Sequence, residues 1–398
     1  MRPGPARRLA TWRREAERAD GARRRRLVRR VDGRRVDCDG RRLVDFASND
    51  YLGLADDPAV AAALAAAAGS GTGAAASALV CGHRPEHREL EARIAAFVGC
   101  EAALVTVSGY QANLAVGQAL AGRGDRALAD RLNHASLNDG LRLSGARISR
   151  YAHADAAAAA ARCRDDTALL VTDGVFSMDG DVAPLADLAA LADARDLLLW
   201  LDDAHGFGVL GDGGRGLVEA AGLAPSDIDV LVVPFGKALG TQGAAIAGDR
   251  ALIETLVDRA RPVIHSTAIA PPLAAATTAA LERLECDHWR RERLRDHVVR
   301  FREGVRGTGI DAGNSETAIQ PVIAGSNRRA LALSAALEGA GFHVPAIRPP
   351  TVPEGRARLR VSLSAAHSTE DVEGLLRALV EAHDSLGEED PAPDRARA

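Results

Sequence analysis

The sequence predicts an α/β protein: a mostly parallel central sheet covered by helices, followed by a smaller C-terminal α+β domain. Three observations predict it. Short apolar runs at 102–107, 168–172, 197–201 and 230–233 alternate with alanine-rich stretches of helical character, such as 184–195. These runs are continuous rather than alternately apolar and polar, as strands buried on both faces are. From about Cys286 the pattern changes to a long charged helix over 289–305, strand-like runs at 318–323 and 357–362, and helical segments at 328–339 and 369–385.

The elements divide the chain into four parts. Residues 1–48 read as an Arg-studded amphipathic helix and a hairpin turning at Asp39-Gly40. Residues 49–285 form the large α/β domain and 286–386 the smaller one. The polar tail 387–398, with two prolines, is expected to be disordered. The alanine-rich tracts are helix filler.

Composition narrows the function. The 398 residues are 47% hydrophobic and 26% charged, with a formal net charge of −4. That balance exerts no global pull on nucleic acid or anionic lipid. No apolar run is long enough to span a membrane. The five cysteines (Cys38, Cys81, Cys100, Cys163 and Cys286) are widely spread and form no C-x-x-C pair. They suit a reduced, cytoplasmic protein and argue against disulfides or a structural metal. The Arg-rich N-terminus carries Glu15, Glu17 and Asp20 and has no apolar signal core, so it reads as a surface helix, with a transit peptide as the alternative.

Lys and Arg together number 50, yet Lys237 is the only lysine. Unlike Arg, lysine can form an imine and give up a proton near neutral pH. Its surroundings add weight. The run ending at Thr172 leads into Asp173-Gly174-Val175-Phe176-Ser177, the run ending at Leu201 into Asp202-Asp203-Ala204-His205-Gly206, and the run ending at Val233 into Pro234-Phe235-Gly236-Lys237. Ligands of open parallel sheets bind beyond the carboxyl ends of the strands, so these clusters are expected to converge.

A lysine, a carboxylate and a histidine converging there suit pyridoxal 5′-phosphate (PLP). That cofactor needs a lysine for its Schiff base and an acid to keep the ring nitrogen protonated. Ser108-Gly109-Tyr110, between a strand and a helix, offers backbone amides for the phosphate. Each residue also has a plain scaffold role: Asp202 as a cap or ion-pair partner, His205 as a loop histidine, Gly236 as a turn. Rival motifs are weaker. Gly206-Phe207-Gly208-Val209-Leu210-Gly211 fits G-x-G-x-x-G, but Gly213 and Gly214 follow where a helix should open. Gly236-Lys237 lacks the rest of a P-loop. His83 and His87 flank Pro85 and read as a helix start rather than a metal pair.

From Asn49 to His383 the chain resembles the α-oxoamine synthases of PLP fold type I, the aspartate aminotransferase-like fold. The resemblance is carried by Asn49-Asp50-Tyr51-Leu52-Gly53-Leu54, Asn133-His134-Ala135-Ser136-Leu137 and Gly174-Val175-Phe176-Ser177-Met178-Asp179-Gly180-Asp181. It continues through Asp202-Asp203-Ala204-His205-Gly206 and Phe235-Gly236-Lys237. The stretch Ile347-Arg348-Pro349-Pro350-Thr351-Val352-Pro353 is most similar to the branch that serves biotin synthesis.

The resemblance implies roles. Lys237 forms the Schiff base and acts as acid and base. Asp202 pairs with the ring nitrogen, His134 stacks on the ring, and Ser177 and His205 bond the phenolic oxygen. Ser108, Gly109 and Tyr110 hold the phosphate. Thr267 reaches the cofactor across the interface of a homodimer with shared sites. Arg23, Asn49, Arg348 and Arg360 bind substrate, Arg360 taking the amino-acid carboxylate. The implied reaction is decarboxylative condensation of L-alanine with a pimeloyl thioester, of CoA or a carrier protein, and needs no metal, nucleic acid or membrane. The alternatives are condensation of glycine with a short acyl-CoA, or a non-catalytic PLP-binding regulator. Three positions depart from the family pattern: Pro234 where Thr or Ser bonds the phosphate, Ala78 in place of Arg or Gly, and His265 in place of Tyr. Thr241 and Gln242 are candidate replacements for the donor lost at Pro234.

Overall fold

A computed structural model describes residues 3–18 and 25–387. The chain separates into two compact units. One comprises Asn49–Arg295 with Ser364–Ala366; the other gathers the described residues up to Ser48, Asp296–Leu363 and those from His367 onward. The expected disordered tail beyond Gly387 lies outside the described residues.

The N-terminal helix spans Pro3–Arg18. Strands β1 (Val28–Asp32), β2 (Arg35–Cys38) and β3 (Arg41–Asp45) follow as an antiparallel meander. The turn between β2 and β3 falls at Asp39-Gly40, both with positive φ (52° and 87°), which Asp and Gly tolerate best.

The larger unit holds a seven-stranded sheet built from β4 (Ala102–Thr106), β5 (Arg126–Asp130), β6 (Arg147–Tyr151), β7 (Thr167–Asp173), β8 (Leu198–Asp202), β9 (Val230–Pro234) and β10 (Ala244–Gly248). They lie in the order β4-β10-β9-β8-β7-β5-β6. Neighbours from β9 through β6 are parallel; β10 runs antiparallel to both β9 and β4. Every residue of β9 and β10 is buried, which accounts for their unbroken apolar sequence. The helices Gly109–Leu120 and Ala135–Ser144 pack through Val116, Leu137 and Leu141 against Val171, Trp200 and Ile246 of the sheet. A fully buried side chain of this size contributes about 1.5–3 kcal/mol.

The other unit holds β11 (Ile319–Gly325), β12 (Phe342–His343), β13 (Ala346–Ile347) and β14 (Ala357–Ser362). Strands β11, β14 and β13 form an antiparallel sheet in that order, while β12 joins β3 in parallel. The helix Asn327–Gly339 is capped by Ser326, whose hydroxyl accepts from Arg329 N. The helix Thr369–Leu386 starts with a capping box formed by Ser368 and Asp371. No helix among the described residues is long and apolar enough to cross a membrane.

Candidate active site

The expected convergence occurs at one edge of the seven-stranded sheet. Strands β7 and β8 end in register, with Asp173 opposite Asp202, and Asp202 lies opposite Val232 of β9. The connection from β9 to β10 carries the lysine. It is a tight loop closed by Phe235 N to Gly243 O (2.9 Å), Thr241 N to Phe235 O (3.1 Å) and Gly240 N to Lys237 O (2.9 Å). Gly240 sits at φ +64° with room for no side chain: a Cβ there would lie 2.3 Å from Ala55 N. The reversal of β10 therefore places half-buried Lys237 on a short, packed loop at the carboxyl edge.

Asp202 is buried and held on both oxygens. Asn113 Nδ2 donates to one (2.6 Å) and Ala204 N to the other (3.1 Å). Asn113 also donates to Ser136 Oγ (2.8 Å), which lies 2.7 Å from His134 Nδ1. The His134 main chain is fixed by its N–H to Asp173 Oδ2 (2.6 Å). Burial lowers the His134 pKa against the opposing pull of Asp202, and Lys237 lowers it further. His134 is thus neutral, with Nδ1 accepting, and Tyr110 meets its ring edge-on at 6.3 Å. Burial and the neighbouring Asp202 raise the Asp173 pKa well above the carboxylate range.

Ser108 is the N-cap of the helix Gly109–Leu120, accepting from Gln111 N at 3.2 Å. The amides of Gly109 and Tyr110 find no acceptor among the described residues. A Cβ on Gly109 would lie 2.6 Å from Pro234 Cγ, so only glycine lets this helix terminus close on the end of β9. The Thr241 hydroxyl, a candidate replacement for the donor absent at Pro234, pairs instead with Thr277 Oγ1 at 2.8 Å; Gln242 is exposed.

His205 lies in the turn after β8, its Nδ1 2.6 Å from the Tyr51 hydroxyl, which also reaches Asn49 Oδ1 at 3.3 Å. Ser177 lies in the loop that leaves β7, which is closed by Phe176 N to Asp181 O (2.9 Å) and Ala183 N to Gly174 O (2.9 Å). Thr267 forms an isolated antiparallel bridge with Ser77. Two of the expected arginines belong to the other unit. Arg360 is buried in β14 of the other unit, donating to Ser362 Oγ at 2.7 Å. Arg348 follows β13 and is half-buried. Arg23 lies outside the described residues. The rival motifs stay scaffold. The Gly206–Gly211 segment opens no helix before the four-residue Leu217–Ala220, and His87 caps its helix by accepting from Arg84 N at 3.0 Å.

Two neighbouring residues, Asn113 and His153, escaped the sequence reading, and Asp203 entered it only within the Asp202–Gly206 cluster. Asn113 is a buried amide inside an apolar helix, a signal that was available. Asp203 is fully buried: Leu217 N donates to one oxygen (2.8 Å), the other has no hydrogen-bond partner, and side chains on Gly206 or Gly216 would collide with the carboxyl. Burial, reinforced by Asp202, pushes its pKa up to about 8 against the hydrogen bond from Leu217. His153 joins Asp130, at the end of β5 (3.0 Å), to Asp181 of the Ser177 loop, and stands edge-on to Phe176 at 4.3 Å. Burial opposes its charge, but the two carboxylates prevail and raise its pKa to about 9.

These residues fit PLP on structural grounds. There is one amine on a rigid loop, a buried and oriented carboxylate for a protonated ring nitrogen, a flat neutral imidazole, and unclaimed amides at a helix N-terminus for a phosphate. No cluster among the described residues has the make-up of a metal site.

Known proteins agree. The chain is 51% identical over 370 residues to 8-amino-7-oxononanoate synthase of Alkalilimnicola ehrlichii, covering 92% of this chain and 95% of that one. Seven further curated relatives, 48–52% identical, carry the same name. Among solved structures, Sphingomonas wittichii serine palmitoyltransferase matches with a TM-score of 0.89 at 32% identity, covering 95% of this chain and 97% of that one. The S. paucimobilis serine palmitoyltransferase with a bound PLP–myriocin aldimine matches with a TM-score of 0.89 at 29% identity, with the same coverage. The profile of the aminotransferase class I and II family matches residues 41–379. The chain belongs to the aminotransferase class I and II family, has its PLP fold type I architecture, and uses PLP as cofactor.

Proposed function

We infer that the chain catalyses the decarboxylative condensation of L-alanine with a pimeloyl thioester to give 8-amino-7-oxononanoate, a step of biotin synthesis. One observation carries this reading: eight curated relatives, about half identical over most of the chain, are named for that product. In the reaction the Cα–H of alanine gives way to a bond to the acyl carbon, the sulfur departs as thiolate and takes up a proton, and the amino-acid carboxyl departs as carbon dioxide with a proton taking its place on Cα.

When bound, PLP supplies an electron-withdrawing ring that stabilises negative charge on the substrate α-carbon. The protein's part follows from its side chains. Asp202, oriented by Asn113 and Ala204, holds the proton on the ring nitrogen. Gly109 and Tyr110 donate their amides to the phosphate, with Ser108 beside them, while neutral His134 covers a ring face. His205 and Ser177 donate to the phenolic oxygen. Lys237 anchors the cofactor, takes the α-proton on Nζ and later returns it. Asn49, Arg348, Arg360 and Arg23 are assigned to substrate, Arg360 to the carboxylate of alanine.

We also infer a homodimer with shared sites, in which Thr267 serves the partner's cofactor. Leu79 and Val80, 50% and 77% exposed, adjoin the Ser77–Thr267 bridge and present apolar surface suited to burial against a second copy. Sedimentation at assay concentration tests this; an active monomer refutes it.

The activity is tested by supplying L-alanine with pimeloyl-CoA or a pimeloyl-carrier protein and measuring the aminoketone and carbon dioxide. Faster turnover of glycine with acetyl-CoA or succinyl-CoA overturns the choice of substrates. Absence of turnover with every pair overturns the enzymatic reading.

A further inference from the structure

Tyr51 lies in the loop that follows Asn49, 154 residues from His205 in sequence, and its side chain is completely buried. Its hydroxyl is 2.6 Å from His205 Nδ1, and the rings are tilted 59° at 5.9 Å. The backbone beneath it is pinned: Tyr51 N donates to Asn49 O and Ala365 N donates to Tyr51 O, both at 2.8 Å. Asp50 accepts from Leu54 N at 2.9 Å, which fixes the next turn. Tyr51 is therefore a rigid post beneath a buried imidazole.

We propose that Tyr51 is a positioning residue that donates its phenolic proton to His205 Nδ1 and so locks His205 in the tautomer carrying its proton on Nε2. The phenol is the stronger acid of the pair and the imidazole nitrogen the stronger base, so the shared proton sits on Tyr51 and Nδ1 accepts. Neutral imidazole donates from one nitrogen only, so fixing Nδ1 as acceptor makes Nε2 the donor. Asn49 Oδ1, which can only accept, competes for the one phenolic proton, but at 3.3 Å it is a much weaker acceptor than Nδ1 at 2.6 Å. His134 uses the same arrangement, its Nδ1 lying against Ser136 Oγ. The inference rests on the functional reading above, in which His205 donates to the phenolic oxygen of PLP; Tyr51 acts only through His205.

The test is ¹⁵N-histidine labelling of the full chain, with and without PLP, the His205 signals being assigned by comparison with His205→Gln. The expected result is a protonated Nε2 and an unprotonated Nδ1 in both states. In Tyr51→Phe the two nitrogens should move toward each other as the tautomers mix. The kcat should then fall about tenfold, the equivalent of one hydrogen bond of roughly 1.4 kcal/mol, while the KM for alanine stays within about twofold and thermal unfolding holds near that of the parent. A proton found on Nδ1 in the parent, or Tyr51→Phe with unchanged nitrogen signals, overturns the proposal. A parent that turns over neither thioester overturns the functional reading instead, and the nitrogen signals still decide the tautomer.

Discussion

Two carboxyls adjacent in sequence leave β8 for opposite surroundings. Asp202 ends the strand facing polar partners, an amide side chain and a backbone N–H, beside His134. Asp203 points into a space so narrow that Gly206 and Gly216 must be glycine around it, and one of its oxygens has no hydrogen-bond partner. The alternation of side chains along an extended backbone separates them. The contrast teaches that burial alone does not set a carboxyl's surroundings: Asp202 is buried with a hydrogen-bond donor on each oxygen, whereas Asp203 is buried and driven toward its neutral form.

The contrast can be broken from its functional side first. Lys237→Ala removes the only lysine and should abolish turnover while leaving the fold intact. Borohydride reduction of the parent holoenzyme should fix PLP to the peptide containing Lys237; label elsewhere, or none, refutes the assignment. Asp202→Asn should come next, with some PLP retained but exchange of the alanine α-proton falling by roughly two orders of magnitude or more, because the ring nitrogen loses its counter-charge. Exchange at the parental rate would transfer the role to another carboxyl.

Asp203→Asn sharpens the comparison. A carboxyl whose folded pKa is raised to about 8 binds more protons folded than unfolded between pH ~4 and ~8. Its stabilising contribution is complete below pH ~4 and is lost as pH rises toward 8. Asparagine cannot ionise, so the variant should gain on the parent over that range, its relative Tm rising by several degrees between pH 5 and pH 9. Turnover near neutral pH should change only about threefold. Parallel Tm profiles would mean that Asp203 is ionised in the folded protein. The smallest effect is expected at Pro234, which packs on Gly109 beside the proposed phosphate amides. Pro234→Thr should tighten the PLP Kd by up to about tenfold, the value of one charge-assisted bond, with kcat unchanged at saturating cofactor. An unaltered Kd would mean that the amides of Gly109 and Tyr110 satisfy the phosphate.

The parallel strands and their polar ends were legible because buried strands read as short apolar runs with chemistry after them, as in Val230–Pro234 leading to Lys237. Strand β10 was not: Ala-Ala-Ile-Ala-Gly is small, lacks alternation and resembles the helix-like alanine tracts around it, and only its pairing with β9 and β4 makes it a strand. Expected boundaries shifted by a residue or two, as where β8 begins at Leu198 and the helix at 184 begins at Leu185 with Pro184 as cap. In the site, Lys237, Asp202 and His205 were singled out by residue type and place, and His134 only by the family resemblance. The Tyr51–His205 contact and the clasp of His153 between Asp130 and Asp181 were not, since each joins segments far apart in the chain and no local spacing encodes them.

The solitary lysine has a consequence for handling the protein. In these 398 residues a lysine-specific protease has a single bond to cut, after Lys237, in the middle of the β9–β10 loop. Amine-directed dyes, cross-linkers and coupling resins meet only this side chain and the N-terminal amine, so tethering chemistry that is harmless on most proteins would here modify the residue proposed to anchor the cofactor. If Lys237 holds the cofactor as proposed, protection of that one bond from proteolysis is expected to follow occupancy, without an assay of turnover.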